Sequence, residues 1–288
     1  MSSPEPWRIE ALNDESNDDE SLNPAVELPP EIDVTVPSVA RGYDHALGGK
    51  NNFEVDRAAV TAMHSIFPGM IALARDNRAF LRRGVRFLVA EAGIRQFIDV
   101  GSGLPSAGNV HEVAHAIDPS VHVVYVDIDP IVLAHGRALL ADNDTTTVIQ
   151  ADAGDPRAIL DDPATRELID FDQPVGVLLS GILHHLPDER DPVGVTQVFK
   201  DAMASGSYLL ASNFLDDDDP RARAAEHGIT TNFGTGRFRT WAEQRLYFEG
   251  LEMVEPGLVY ANDWRPDDNT DTNGEFHTFY AGGIGRKP

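Results

Sequence analysis

The chain has 288 residues, 42% hydrophobic and 24% charged, with 47 Asp and Glu against 23 Lys and Arg and a formal net charge of −24. It has no cysteine, which excludes disulfides, thiolate metal sites and cysteine nucleophiles. A surface this acidic repels phosphate backbones and argues against nucleic acid as the main partner, although net charge speaks to solubility first.

Residues 1–33 hold ten acids and a single base, Arg8, with few large apolar residues. Such a segment cannot offset its ordering entropy by burial, so the expectation is a mobile acidic tail. Its first residues show neither a basic stretch nor an apolar run, and nothing in the chain approaches the roughly 18 apolar residues of a membrane span. The expected location is cytoplasmic, without a membrane partner.

Residues 40–53 read ARGYDHALGGKNNF. A phosphate loop would need Gly at 44 and Ser or Thr at 51, where the chain has Asp44 and Asn51. The spacing instead predicts a helix ending at Leu47, Gly48 as the residue after its cap, and a new helix from Asn52. In residues 69–93, Ile71, Ala74, Leu81, Val85, Leu88 and Ala92 recur at helical spacing, and most of the arginines between them read as a solvated face. Gly93 would close that helix. Residues 34–93 are therefore taken as a helical region preceding a domain over 94–288.

From there the texture changes. RQFIDV (95–100), HVVYVD (122–127), TTVIQA (146–151), VGVLLS (175–180) and SYLLASN (207–213) are short apolar runs about one helix length apart. That is the pattern of buried parallel strands joined by helices, an α/β fold with an open twisted sheet. A helix near 239–249, a strand near 257–260 and a last run, FHTFYAGGIG, follow. An acidic run, Asp216 to Asp219 before Pro220, reads as a loop or helix start. In an open α/β sheet, ligands bind beyond the carboxyl ends of the strands.

The first strand ends in Asp99, Gly101 and Gly103, a D-x-G-x-G turn that permits close backbone approach to a ligand. A dinucleotide fingerprint would need Gly or Ala at 106, where the chain has Ser106, and Pro105 lacks an amide hydrogen; a nicotinamide-dependent oxidoreductase is disfavoured. Asp127 closes the second strand 24 residues after Gly103 and can accept from both hydroxyls of a ribose. Asp129 reads as a helix cap. After the third strand, Asp152 can accept from the adenine amine and the Ala153 amide can meet a ring nitrogen; Asp155 before Pro156 reads as another cap. Ser180, Gly181, His184 and His185 reach the rim of the fourth strand. Adjacent histidines do not share a helix face and no third ligand is placed nearby, so no metal is expected. One histidine serves as base or polar contact and the other packs; His184 is the catalytic candidate.

Glycine turn, ribose acid, adenine acid and substrate-facing fourth strand, in this order, resemble the class I methyltransferases. ARGYDHALGGKNNFEVDR, DNRAFLRRGVRFL, FIDVGSGLPSAGNVHEVA, VDIDP, ADAGDP and GLEMVEPGLVYANDWRP together resemble the actinobacterial S-adenosyl methyltransferases formerly grouped as a domain of unknown function, over residues 34–285. The resemblance implies a Rossmann-like, seven-stranded, mostly parallel sheet whose last strand runs antiparallel between earlier ones. It implies S-adenosylmethionine as cofactor, S-adenosylhomocysteine as product, and a small-molecule acceptor it does not name. The implied cofactor residues are Asp99, Gly101, Ser102, Gly103, Asp127, Ile128, Asp152, Ala153 and Ser180, with Arg41, Tyr43, Asp44, Gly48 and Asn51 in a lid over the methionine end. A non-catalytic protein that binds the same cofactor on the same fold stays open as the alternative.

Overall fold

The computed structural model describes residues 32–105, 108–139 and 144–288. The expected acidic tail over 1–33 lies, but for its last two residues, outside the described residues, as does Ser106. Asp33–Pro288 forms one compact unit.

Three helices come first: α1 (Val39–Ala46), α2 (Glu54–Ile66) and α3 (Met70–Ala90). Strands and helices then alternate: β1 (Gln96–Val100), α4 (Val110–His115), β2 (His122–Asp127), α5 (Pro130–Leu139), β3 (Thr146–Gln150), α6 (Pro156–Asp161), α7 (Pro163–Leu168), β4 (Gly176–Ser180), α8 (Pro192–Ala202) and β5 (Tyr208–Phe214). The chain closes with α9 (Pro220–Phe233), α10 (Trp241–Leu246), β6 (Glu252–Met253), β7 (Val259–Tyr260) and β8 (Tyr280–Arg286). Asp155 and Asp219 cap α6 and α9 ahead of a proline, and the Asp129 carboxylate accepts from the Ile131 amide at the start of α5.

The sheet runs β3-β2-β1-β4-β5-β8-β6, with β7 also paired to β8. β1 to β5 are parallel and β8 is antiparallel, threaded between β5 and β6. The sheet has eight strands rather than the expected seven, because its far edge is broken into two two-residue pieces that both pair with β8.

Alternating side chains build a core on each face, as the two-residue repeat of a strand demands. Phe97, Val123, Leu178 and Leu210 pack beneath α3; Ile98, Val124, Val177 and Leu209 pack on the opposite side. α3 lies close against the sheet at Gly84, where an added Cβ would stand 2.4 Å from Leu210. Arg83 departs from the solvated face expected of the α3 arginines. It is buried and donates to the carbonyls of Ala261 (2.7 Å) and Trp264 (3.0 Å), fastening the segment before β8 to α3. The same helix carries Asn77 and Arg78 to the strand ends.

Candidate active site

A cavity of about 420 Å³ opens at the carboxyl ends of the parallel strands, where β1 and β4 diverge towards opposite edges of the sheet. α1 covers it, contributing Val39, Ala40, Gly42, Tyr43 and Ala46 to its wall. The α1 cap residue, Ser38, donates its hydroxyl to Asp129, tying the helix to the end of β2.

The turn after β1 needs its glycines. Gly101 and Gly103 have φ of +72° and +67°, and a Cβ at Gly101 would stand 2.6 Å from Ile182. The Gly101 and Ser102 amides donate to the Val126 carbonyl at 2.8 and 3.1 Å, so the turn is pinned to β2. The Gly103 amide donates to Asp127 Oδ2 (2.8 Å) and the Asp129 amide to Oδ1 (2.9 Å). The Ile128 amide also acts on this carboxylate, which keeps acceptor capacity for a hydroxyl pair. Burial raises the Asp127 carboxyl, while those two amides work to keep it charged. Asp99, 3% exposed, is pushed up to about 7 by burial, against the pull of the nearby Arg78 guanidinium.

At the other rim Asp152 accepts from the Gly154 amide (2.8 Å) and from Arg190 Nη2 (2.9 Å). Burial raises its carboxyl, but these partners outweigh it and hold it below the usual range. Gly154 packs under this guanidinium, and a Cβ there would push Arg190 aside from Asp152. Ile128, 62% exposed, offers an apolar face beside it.

The β4–β5–β8 side differs in character. Ser180 and Ser212 both donate to Asn77 Oδ1 (2.9 and 2.7 Å), Asn77 Nδ2 donates to the Tyr43 hydroxyl (3.1 Å), and that hydroxyl donates to the Ala74 carbonyl (2.9 Å). His184 is buried between Phe214 and His185, with ring centroids 4.0 and 4.3 Å away. Its Nδ1 accepts from the Phe214 amide (3.4 Å), which leaves the ring proton on Nε2. Burial drives its pKa well below the ordinary value, and that of His185 down to about 4. His184 is thus a neutral ring whose Nδ1 is already taken as an acceptor, with the Asn213 side chain as a further hydrogen-bond partner.

Among the expected site residues, the structure brings together Tyr43, Asp99, Gly101, Ser102, Gly103, Asp127, Ile128, Asp152, Ala153, Ser180 and His184 around the cavity. Arg41, Asp44, Gly48 and Asn51 are not among the residues that line it. Arg41 Nε is paired with Asp56 (2.9 Å), which is fully buried. Asp44 accepts from the Asn51 amide (2.9 Å) and Asn52 Nδ2 (2.8 Å), so this carboxylate moulds the loop. Gly48 takes φ +84° to end α1. Ser38, Asn77, Arg78, Arg190 and Tyr280 line the cavity without having been singled out. Only the polar Asn77 and Arg78 inside an otherwise apolar helical repeat carried a local signal.

A glycine-rich turn, an acid that can hold a diol and a carboxyl beside a guanidinium suit a cationic nucleoside ligand. The family model of the S-adenosyl methyltransferases matches residues 25–288. The chain belongs to this family. Among solved structures, a presumed methyltransferase from Thermobifida fusca is 45% identical, with a TM-score of 0.86 over 91% of this chain and 99% of its own. A DUF574 family protein from Streptomyces avermitilis is 38% identical, with a TM-score of 0.85 over 89% and 99%. Among curated proteins, none matches. The methyltransferase uses S-adenosylmethionine, and the cavity residues fit it: Asp127 for the ribose diol, the glycine turn for close approach, Asp99 for the cationic methionine end. No helix among the described residues is long and apolar enough to cross a membrane.

Proposed function

We propose that this methyltransferase alkylates a small molecule seated between the glycine turn and the β4–β5–β8 side of the cavity. The observation that carries this reading is one cavity with an acidic side at the ends of β1, β2 and β3 and an uncharged side facing it. When bound, the cofactor would supply an electrophilic methyl on a sulfonium, with a neutral thioether as its leaving group.

The chain's own contribution is binding, alignment and exclusion of water. Asp127 takes the ribose, Asp152 and the Ala153 amide meet the adenine edge, and Ile128 packs on its face. Asp99 and Tyr43 flank the methionine end, and Ser180 belongs to the network that positions Tyr43. α1 acts as the lid, held by Ser38 and Tyr43, and must lift for exchange. His184 orients the acceptor through its Nε2 proton instead of removing a proton, because its Nδ1 is already an acceptor.

Thermal unfolding with S-adenosylhomocysteine tests the reading. At 100 times its Kd the ligand should stabilise the chain by about 2.7 kcal/mol, and a nicotinamide cofactor should not. No shift with S-adenosylhomocysteine sinks the assignment of the cavity. Labelled methyl appearing in a small-molecule extract would separate catalysis from mere cofactor binding.

A further inference from the structure

The two sides of the cavity differ in where their charges lie, and the sheet order is the cause. Asp99, Asp127, Asp129 and Asp152 sit at the ends of β1, β2 and β3, with Arg190 paired to Asp152 and Arg78 beside Asp99. Among the described residues, no other Asp, Glu, Lys or Arg reaches the wall. Beyond β1 the sheet continues through β4, β5 and β8, and the wall there carries rings and aliphatic groups together with the uncharged polar side chains of Asn77, Ser180 and Thr235.

This second chamber is walled by Met63, His184, Phe214, Ile229, Phe233 and Tyr280. Phe214 is fixed by rings on two sides: it stacks on Phe238 with centroids 4.6 Å apart and meets Tyr280 edge-on at 5.3 Å. Phe233, at the end of α9, lies over Gly42 of the lid so closely that a Cβ there would stand 2.6 Å from its ring. The chamber is thus closed between α9 and α1 by an aromatic ring. Arg239, whose charge His184 feels, is spent elsewhere: it donates to the carbonyls of Leu183 (3.0 Å) and Leu186 (2.8 Å) and pairs with Asp188.

We infer that the methyl acceptor is a neutral, mainly apolar ring compound, and that carboxylates, phosphates and cationic amines are rejected. This rests on the proposed transfer reaction and names its substrate class. A charged acceptor would shed its hydration with no counter-ion to receive it. The chamber already imposes that penalty on its own groups: burial raises the Tyr43 and Tyr280 hydroxyls and lowers both histidines, so all four stand neutral near pH 7. Flat rings match the aromatic walls. A total volume of about 420 Å³, shared with the cofactor, leaves room for a small molecule and none for a folded protein or a duplex.

The test is calorimetric titration of the full chain, held saturated with S-adenosylhomocysteine, by matched probes: 2-naphthol against 3-hydroxy-2-naphthoate, and indole against indole-3-carboxylate. The neutral member of each pair should bind about tenfold or more tightly than its carboxylate. Phe233→Ala should weaken the neutral probes about fivefold while S-adenosylhomocysteine affinity stays within about twofold. Equal or tighter binding of the carboxylates overturns the inference, and so does failure of both neutral probes to bind the saturated protein. Failure of S-adenosylhomocysteine itself to bind removes the parent reading, an outcome separate from the others. The pairwise comparison needs no variant and stands even where Phe233→Ala does not fold.

Discussion

Two stretches of this chain look equally functional on paper: ARGYDHALGGKNNF at 40–53 and FIDVGSG at 97–103. Both mix glycine with charge, and both fold beside the cavity. They differ in where their polar atoms go. In the first, Arg41 is absorbed by Asp56 and by the Asp33 and Val36 carbonyls, and Asp44 by the loop that follows it. In the second, backbone amides pin the turn to Val126 and Asp127, while the Asp127 lone pairs and the Asp99 carboxyl stay available to a ligand. A polar cluster signals binding only by the capacity left after the fold has taken its share.

The sharpest way to break this contrast is Arg41→Ala. It leaves Asp56, fully buried, without its counter-ion, so urea unfolding should show a loss of about 3–5 kcal/mol. Full stability with abolished S-adenosylhomocysteine binding would mean that Arg41 contacts the ligand after all. Asp127→Asn should do the reverse, lowering S-adenosylhomocysteine affinity by about 1.5–3 kcal/mol as a charge-assisted diol contact is lost. Unchanged affinity in a titration would remove Asp127 from the ribose.

A pH series sharpens the contrast further. Asp99 titrates at about 7, raised by burial, so it is charged above that value and neutral below it. The charged form can hold the α-ammonium at the methionine end of the ligand, so S-adenosylhomocysteine affinity should rise about tenfold between pH 6 and 8, and Asp99→Asn should flatten the curve. Stability without ligand runs the other way. The folded chain holds this proton more firmly than the unfolded one, so the Asp99 contribution favours folding below about pH 4 and fades as pH rises to about 7. Smallest of all is Asn51→Ala, which keeps the backbone amide that donates to Asp44 and should cost under about 0.5 kcal/mol with ligand affinity intact.

The strands, the caps at Asp129, Asp155 and Asp219, and the positive φ of Gly48, Gly101 and Gly103 were legible because each is governed by a few adjacent residues. The helix-first, sheet-second order was legible from the switch in hydrophobic period. What escaped depends on residues far apart in the chain. The Arg190–Asp152 pair spans 38 residues and the Ser212–Asn77 bond spans 135, and no local pattern announces either. The same cause hides the Arg41–Asp56 pair: Arg41 looks free until Asp56 is folded beneath it.

β8 carries one further consequence, and it concerns time. The antiparallel strand that begins at Tyr280 must slot beside β5 before Tyr280 can face the cavity, where it joins a wall begun by residue 38. During synthesis the ends of β1, β2 and β3 are made by residue 154 and the Arg190 partner of Asp152 soon after, while the acceptor half waits for β8. A nascent chain released early would carry the glycine turn and its acids but no finished second chamber. Methylating competence therefore arrives in a single late step, with the strand that closes the sheet, and truncation before residue 280 should leave no partly working enzyme.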